Sequence, residues 1–125
     1  MNIPADLRYT KEHEWVKLEG TTAIIGVTDF AQSNLTDITF FEFPEIGREV
    51  NQMEEIGVIE TSKAVSDIFS PVSGKVVAVN DALDDNPETV NSDPYGDGWL
   101  VKIEVKDASE FEALLSADAY KELID

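Results

Sequence analysis

The sequence predicts a mostly β fold, a sandwich or barrel of short strands with helices at the C-terminus. Three observations carry it: period-two apolar alternation through the middle of the chain, turns separating short apolar runs, and a Pro-x-x-Gly turn that occurs twice. With 125 residues and 42% hydrophobic composition, the chain suits one domain. That domain is expected to span residues 1–125, with the sandwich over about 12–106 and helices over 107–125.

Taken in order, the strands predicted are His13–Leu18, Thr22–Val27, Ile38–Phe43, Glu55–Glu60, Val65–Phe69, Gly74–Val79 and Trp99–Val105. The last alternates most cleanly: Trp99, Val101, Ile103 and Val105 share one face, and Lys102 and Glu104 point the other way. Thr28-Asp29 is a cap for a short helix running towards Leu35. Asn80 to Gly98 is polar and broken by Asn86-Pro87 and Asp93-Pro94. It exceeds an ordinary connection, so a short helix or a functional loop is expected inside it. In the tail, Ser109 and Glu112 have capping-box spacing ahead of Phe111, Leu114 and Leu115, and Ser116 can start a second helix through Tyr120 and Leu123. Their apolar stripes should cover the sandwich.

The repeat is Pro44-Glu45-Ile46-Gly47-Arg48-Glu49-Val50 against Pro71-Val72-Ser73-Gly74-Lys75-Val76-Val77. Its physical reading is two equivalent turns, with Pro fixing φ and Gly supplying a conformation other residues avoid. Two such turns imply two related half-sheets about a pseudo-two-fold axis.

Composition narrows the chemistry. Acidic residues number 26 against 9 basic ones, a formal net charge of −17. Nucleic acid and anionic membrane surfaces both need Lys/Arg patches, which are absent. No apolar stretch approaches the ~20 residues of a spanning helix. Met1 to Arg8 lacks a basic segment followed by an apolar one, so no signal peptide and a cytoplasmic location are expected. Without cysteine there is no disulfide, thiolate metal site or cysteine nucleophile. His13 is the only histidine, so a multi-histidine metal site is excluded, and no nucleophile elbow or Gly-rich phosphate loop accompanies it. Within Asn80 to Gly98 the acids Asp81, Asp84, Asp85, Asp93 and Asp97 lack the spacing of a calcium loop. No catalytic constellation remains, and His13 reads as a structural strand residue.

Lys63 is the only basic residue between Arg48 and Lys75. Thr61-Ser62-Lys63-Ala64 falls where the chain must reverse between two strands, without the Asn-Gly of a mirror-image turn. A slightly longer loop around a type I turn holds the amine at an exposed tip, open to a modifying enzyme.

Around that lysine, Glu60-Thr61-Ser62-Lys63-Ala64-Val65-Ser66-Asp67 and Ser70-Pro71-Val72-Ser73-Gly74 resemble the lipoyl-lysine hairpin of the glycine cleavage system H protein family. The resemblance extends to His13-Glu14-Trp15-Val16, Gly26-Val27-Thr28-Asp29, Asp93-Pro94-Tyr95-Gly96 and Gly98-Trp99-Leu100, nearly the whole chain. It implies a lipoyl-domain-like β-sandwich (a barrel-sandwich hybrid) of two pseudo-symmetric sheets with short C-terminal helices. It also implies a non-catalytic carrier with lipoate attached covalently to Lys63. Glu60, three residues before the lysine, and the glycines Gly47 and Gly74 would serve recognition by lipoate-attaching enzymes. Glu12, Glu14 and Asp67 would line a cleft for the loaded end of the arm, Glu12 standing where the family commonly has serine. Thr61-Ser62 stands where Ser-Val is usual. Ser62 and Ala64 differ from the methionines that flank the lysine of related biotin carriers. The partners implied are a pyridoxal-phosphate glycine decarboxylase, a tetrahydrofolate-dependent aminomethyltransferase and a flavin (FAD) dihydrolipoyl dehydrogenase. The aminomethyl group would pass between the first two and electrons to the third. The alternative is an H-like paralogue that relays lipoate to other enzymes or acts in a lipoylation-dependent regulatory role.

Overall fold

Two antiparallel sheets close over one apolar core in the computed structural model, which describes residues Met1–Asp125. The strands are β1 (Arg8–Tyr9), β2 (Glu14–Glu19), β3 (Thr22–Val27), β4 (Ile38–Glu42), β5 (Glu49–Val50), β6 (Glu55–Thr61), β7 (Val65–Phe69), β8 (Gly74–Val79) and β9 (Val101–Val105). The larger sheet runs β1-β2-β3-β9-β8-β5 and the smaller β4-β6-β7. Alternation explains the sandwich. Val16, Ala23, Ile25, Val76, Val101 and Ile103 from the larger sheet meet Phe41, Ile56, Ile59 and Ile68 from the smaller, all of them buried. At about 25 cal/mol per Å² of apolar surface removed from water, this shared layer is the main source of stability.

A second apolar cluster lies outside the larger sheet, where Leu7, Tyr9 and Trp15 pack with Ala117 and Tyr120. Tyr120 belongs to α4 (Ala117–Ile124), capped by the Ser116 hydroxyl, which accepts from the Ala119 N–H at 3.2 Å. The helices therefore cover the sandwich as the sequence predicts, with Phe111 and Leu114 of the preceding segment packed on the main core.

Most strand boundaries agree with expectation to within a residue, and Thr22–Val27, Val65–Phe69 and Gly74–Val79 coincide with it. The differences are informative. His13 is not a strand residue: its φ is +69°, and β2 starts only at Glu14. Trp99 does not share the face of Val101. The ladder begins at Val101, Leu100 enters the main core, and Trp99 packs against the second cluster with the Lys102 ammonium 4.8 Å from its ring centre. The capping box at Ser109 and Glu112 does not form. Helix α3 (Ser109–Glu112) is instead started by Asp107, whose Oδ1 accepts from the Ser109 N–H and hydroxyl, because Ser109 is already helical.

Nor do the two repeat glycines serve one purpose. Gly47 has φ +98°, as a left-handed turn requires, whereas Gly74 lies in β8 with no positive φ. A Cβ at Gly74 would stand 2.0 Å from the Glu104 carbonyl oxygen, so close strand approach excludes any side chain there. The repeats are related where they meet. β5 pairs with β8 through Glu49↔Lys75 and Val50↔Gly74, and Val76 N–H donates to the Arg48 carbonyl, so the two copies run antiparallel against each other.

The polar stretch from Asn80 to Gly98 contains both a 3-10 turn (Asp81–Asp84) and α2 (Thr89–Ser92). The Asn80 side-chain amide donates to the carbonyls of Asp97 and Trp99, each at 2.8 Å, and so draws the ends of the stretch together. Asn91 donates to the carbonyls of Gln32 and Leu35, fastening α2 to α1 (Asp29–Gln32). That fixes the position of α1 beside the smaller sheet.

Candidate functional site

Lys63 tips the β6–β7 hairpin, exposed and without an ion-pair partner. The turn is built by Thr61: its N–H donates to the Ala64 carbonyl, and its hydroxyl accepts from the N–H groups of Lys63 (3.3 Å) and Ala64 (3.0 Å). None of residues 61–64 has positive φ, so neither mirror-image hairpin turn is used. The Ser62 N–H donates to the Asp37 carbonyl ahead of β4 and braces the tip from the side. A hydrogen-bonded hairpin thus presents one exposed amine.

Glu60 is half-buried in the middle strand, directly between Phe40 of β4 and Val65 of β7. Gly47 and Gly74 lie elsewhere, around the β5–β8 edge of the larger sheet, and the structure does not bring them to the hairpin.

Beside the hairpin is a cleft of about 440 Å³. Its walls are β7, which has only one strand neighbour, the segment Glu12–Glu14, and helix α1 with Phe30 and Ala31, followed by Asn34 just past its end. Glu12, Glu14 and Asp67, scattered in sequence, all line it. Asp67 is the third residue of β7, four residues beyond Lys63 in sequence.

The three carboxylates are not alike. Glu12 and Asp67 are exposed, whereas Glu14 is 1% exposed. One Glu14 oxygen accepts from the Thr10 hydroxyl at 2.6 Å and the other from the Phe69 N–H at 3.2 Å. Burial pushes its carboxyl up to about 8 against these two bonds, with Glu12 adding a smaller push the same way. Glu14 is therefore largely protonated at neutral pH and ready to ionise when a cation arrives.

His13 lines the same cleft, its ring tilted 36° against that of Phe30 with ring centres 4.7 Å apart. Its Nδ1 lies 2.8 Å from the Tyr120 hydroxyl, which is 2.7 Å from the Thr28 hydroxyl. Thr28 caps α1 by accepting from the Ala31 N–H. One assignment uses every proton: Thr28 donates to Tyr120, Tyr120 donates to His13 Nδ1, and Nε2 carries the imidazole hydrogen. Burial lowers the His13 pKa and raises that of Tyr120, which keeps the imidazole neutral and the phenol protonated. Sequence patterning missed Tyr120 as a cleft-supporting residue, because nothing local connects it with His13.

The profile of the family described as Glycine cleavage H-protein matches residues 7–125. The Glycine cleavage system H protein of Halalkalibacterium halodurans is 56% identical over 123 residues, covering 98% of this chain and 96% of the relative. That of Anaeromyxobacter sp. (strain K) is 50% identical over 125 residues, covering 100% and 98%. A crystal structure of a glycine cleavage system H protein from Mycobacterium marinum superposes with a TM-score of 0.87 at 37% identity, over 96% of this chain and 97% of that one.

Proposed function

Because the chain belongs to the glycine cleavage H-protein family and is a lipoyl carrier of glycine cleavage, we propose that Lys63 bears the lipoyl group and that the adjoining cleft receives the loaded end of the arm. The observation that carries this reading is the unpaired lysine on a braced hairpin, with the carboxylate-lined cleft along the same strand. Full-length similarity to glycine cleavage system H proteins favours the carrier over a lipoate relay.

Bound as an amide of Nζ, lipoate would supply a disulfide that accepts the aminomethyl group and returns to the oxidised form at a flavin enzyme. The chain's own residues do the rest. Thr61 and Ser62 hold the tip so that the lysine stem, rather than the hairpin, moves. The length of the arm raises the effective concentration of its end at each partner's site. In the cleft, Glu12 and Asp67 attract a cationic amine from solvent, and Glu14 accepts a charge-assisted hydrogen bond once it ionises. The ammonium draws the Glu14 pKa down, so entry releases a proton. Phe30 and Ile59 exclude water from one side. No group here performs the bond-making chemistry, which belongs to a pyridoxal-phosphate decarboxylase, a tetrahydrofolate-dependent aminomethyltransferase and an FAD-dependent dihydrolipoyl dehydrogenase. Glu60, beside the tip, serves recognition by the attaching enzyme. Gly47 and Gly74 would affect it only through the shape of the sheet that supports the hairpin.

The test is intact mass from a lipoylation-competent cell. The native chain should carry a lipoyl increment, lost entirely in Lys63→Arg. An unmodified native chain, or an increment that survives the substitution, overturns the assignment.

A further inference from the structure

Two large apolar side chains of the smaller sheet face solvent, and both flank the hairpin tip: Phe40 at 53% exposure and Val65 at 62%. They are directly opposite Glu60 on its two sides, in the register Phe40↔Glu60↔Val65. Residues directly opposite in adjacent strands share a face, so the three form one row across the sheet, immediately before the turn that holds Lys63. On the β4 side the row borders a bulge. Register slips between Ile38 and Phe40, leaving Thr39 and Phe40 both exposed while Phe41 is buried. Phe40 and Phe41 alternate normally, exposed and buried, so Thr39 is the residue the slip leaves out of alternation.

We propose that Phe40 and Val65, on either side of Glu60, add an apolar docking row for the enzyme that acylates Lys63, a partner whose contacting face is apolar with a cationic side chain opposite Glu60. This rests on the reading of Lys63 as the lipoylated residue. Reach decides between occupants. Before modification the nucleophile is only a four-carbon stem away from the backbone. An enzyme that bonds to Nζ must cover the tip, and the row one pair behind it falls within the same contact. Later partners meet the far end of a long acyl arm and are under no such constraint. The step itself is acyl transfer: the neutral Nζ amine forms the C–N bond, the activated acyl carbon releases its leaving group, and the proton on nitrogen passes to water.

The experiment uses full-length unmodified chain, the purified lipoate-attaching enzyme of the same host, lipoate and ATP, with lipoylation followed by intact mass. Phe40→Thr and Val65→Thr preserve strand propensity while removing the apolar surface. The double variant should lose about tenfold in kcat/KM for attachment, chiefly through KM, with each single variant between it and wild type. Unchanged attachment by the double variant overturns the proposal. So does normal attachment coupled with impaired transfer by the decarboxylase, which assigns the row to a later partner. Failure of the wild-type chain to be lipoylated overturns the reading of Lys63 and this proposal with it. Should Phe40→Thr fold poorly by thermal melting, Val65→Thr alone decides, because β7 is an edge strand and position 65 is open to solvent.

Discussion

Glu14 shows how one residue can be both satisfied and costly. Two donors reach its two oxygens, yet burial outweighs them and holds the carboxyl near pKa 8 against a reference of 4.5. In the unfolded chain the same carboxyl ionises around its ordinary value. From about pH 4.5 to 8 the unfolded state has therefore lost a proton that the folded state keeps, and stability falls as pH rises through that window. Glu14→Gln retains the shape but cannot ionise; its amide oxygen can accept from the Phe69 N–H while its NH2 donates to the Thr10 hydroxyl oxygen. Its advantage over wild type should be absent at pH 4 and grow to a plateau above pH 8, with an upper bound of about 5 kcal/mol. Urea unfolding of both chains at a series of pH values measures this difference, and a pH-independent gap would contradict it. The cleft thus holds one carboxyl whose ionisation is suppressed by burial.

Helix α4 turns such residue chemistry into a property of an element. Its Tyr120 hydroxyl bonds with both His13 on one cleft wall and Thr28, the cap of α1, on another. Tyr120→Phe keeps the ring stacked 4.8 Å from Tyr9 but leaves the His13 and Thr28 groups without that partner. The expected loss is about 1–3 kcal/mol. A specific signature should accompany it: the His13 ring nitrogens, read by 15N shifts, lose their bias towards the Nε2–H tautomer. An unchanged tautomer ratio would reduce Tyr120 to packing. Sequence patterning could not reveal this link, because the two bonds span 107 and 92 residues and involve no periodic motif. It had reached the strands that repeat at least twice, such as Val65–Phe69, but not β1 or β5, which at two residues have no period to detect. Of the candidate site, Lys63, Glu12, Glu14 and Asp67 were legible through motif resemblance. The difference in protonation between buried Glu14 and exposed Asp67 was not, since burial is a tertiary fact.

At the scale of the molecule, the charge of −17 is almost wholly unneutralised: only Glu19 and Glu54 of the 26 acids have an ion-pair partner, in Lys17 and Arg48. Both pairs are solvent-exposed and contribute little to stability. The field is therefore available for encounters. A carrier that visits several enzymes in turn needs fast arrival and easy departure, and long-range attraction to basic partner faces gives the first without strengthening the second. Salt should act on the two rates differently. Raising ionic strength from about 0.01 to 1 M shortens the screening length from about 30 to 3 Å. Association with the glycine cleavage partners should then slow by at least about tenfold, while dissociation changes far less. Stopped-flow association and dissociation across that salt range separate the two effects. Rates of association that stay constant would leave the acidic surface a determinant of solubility alone. If they fall as expected, reversing exposed acids far from the hairpin should slow arrival without altering lipoylation at Lys63.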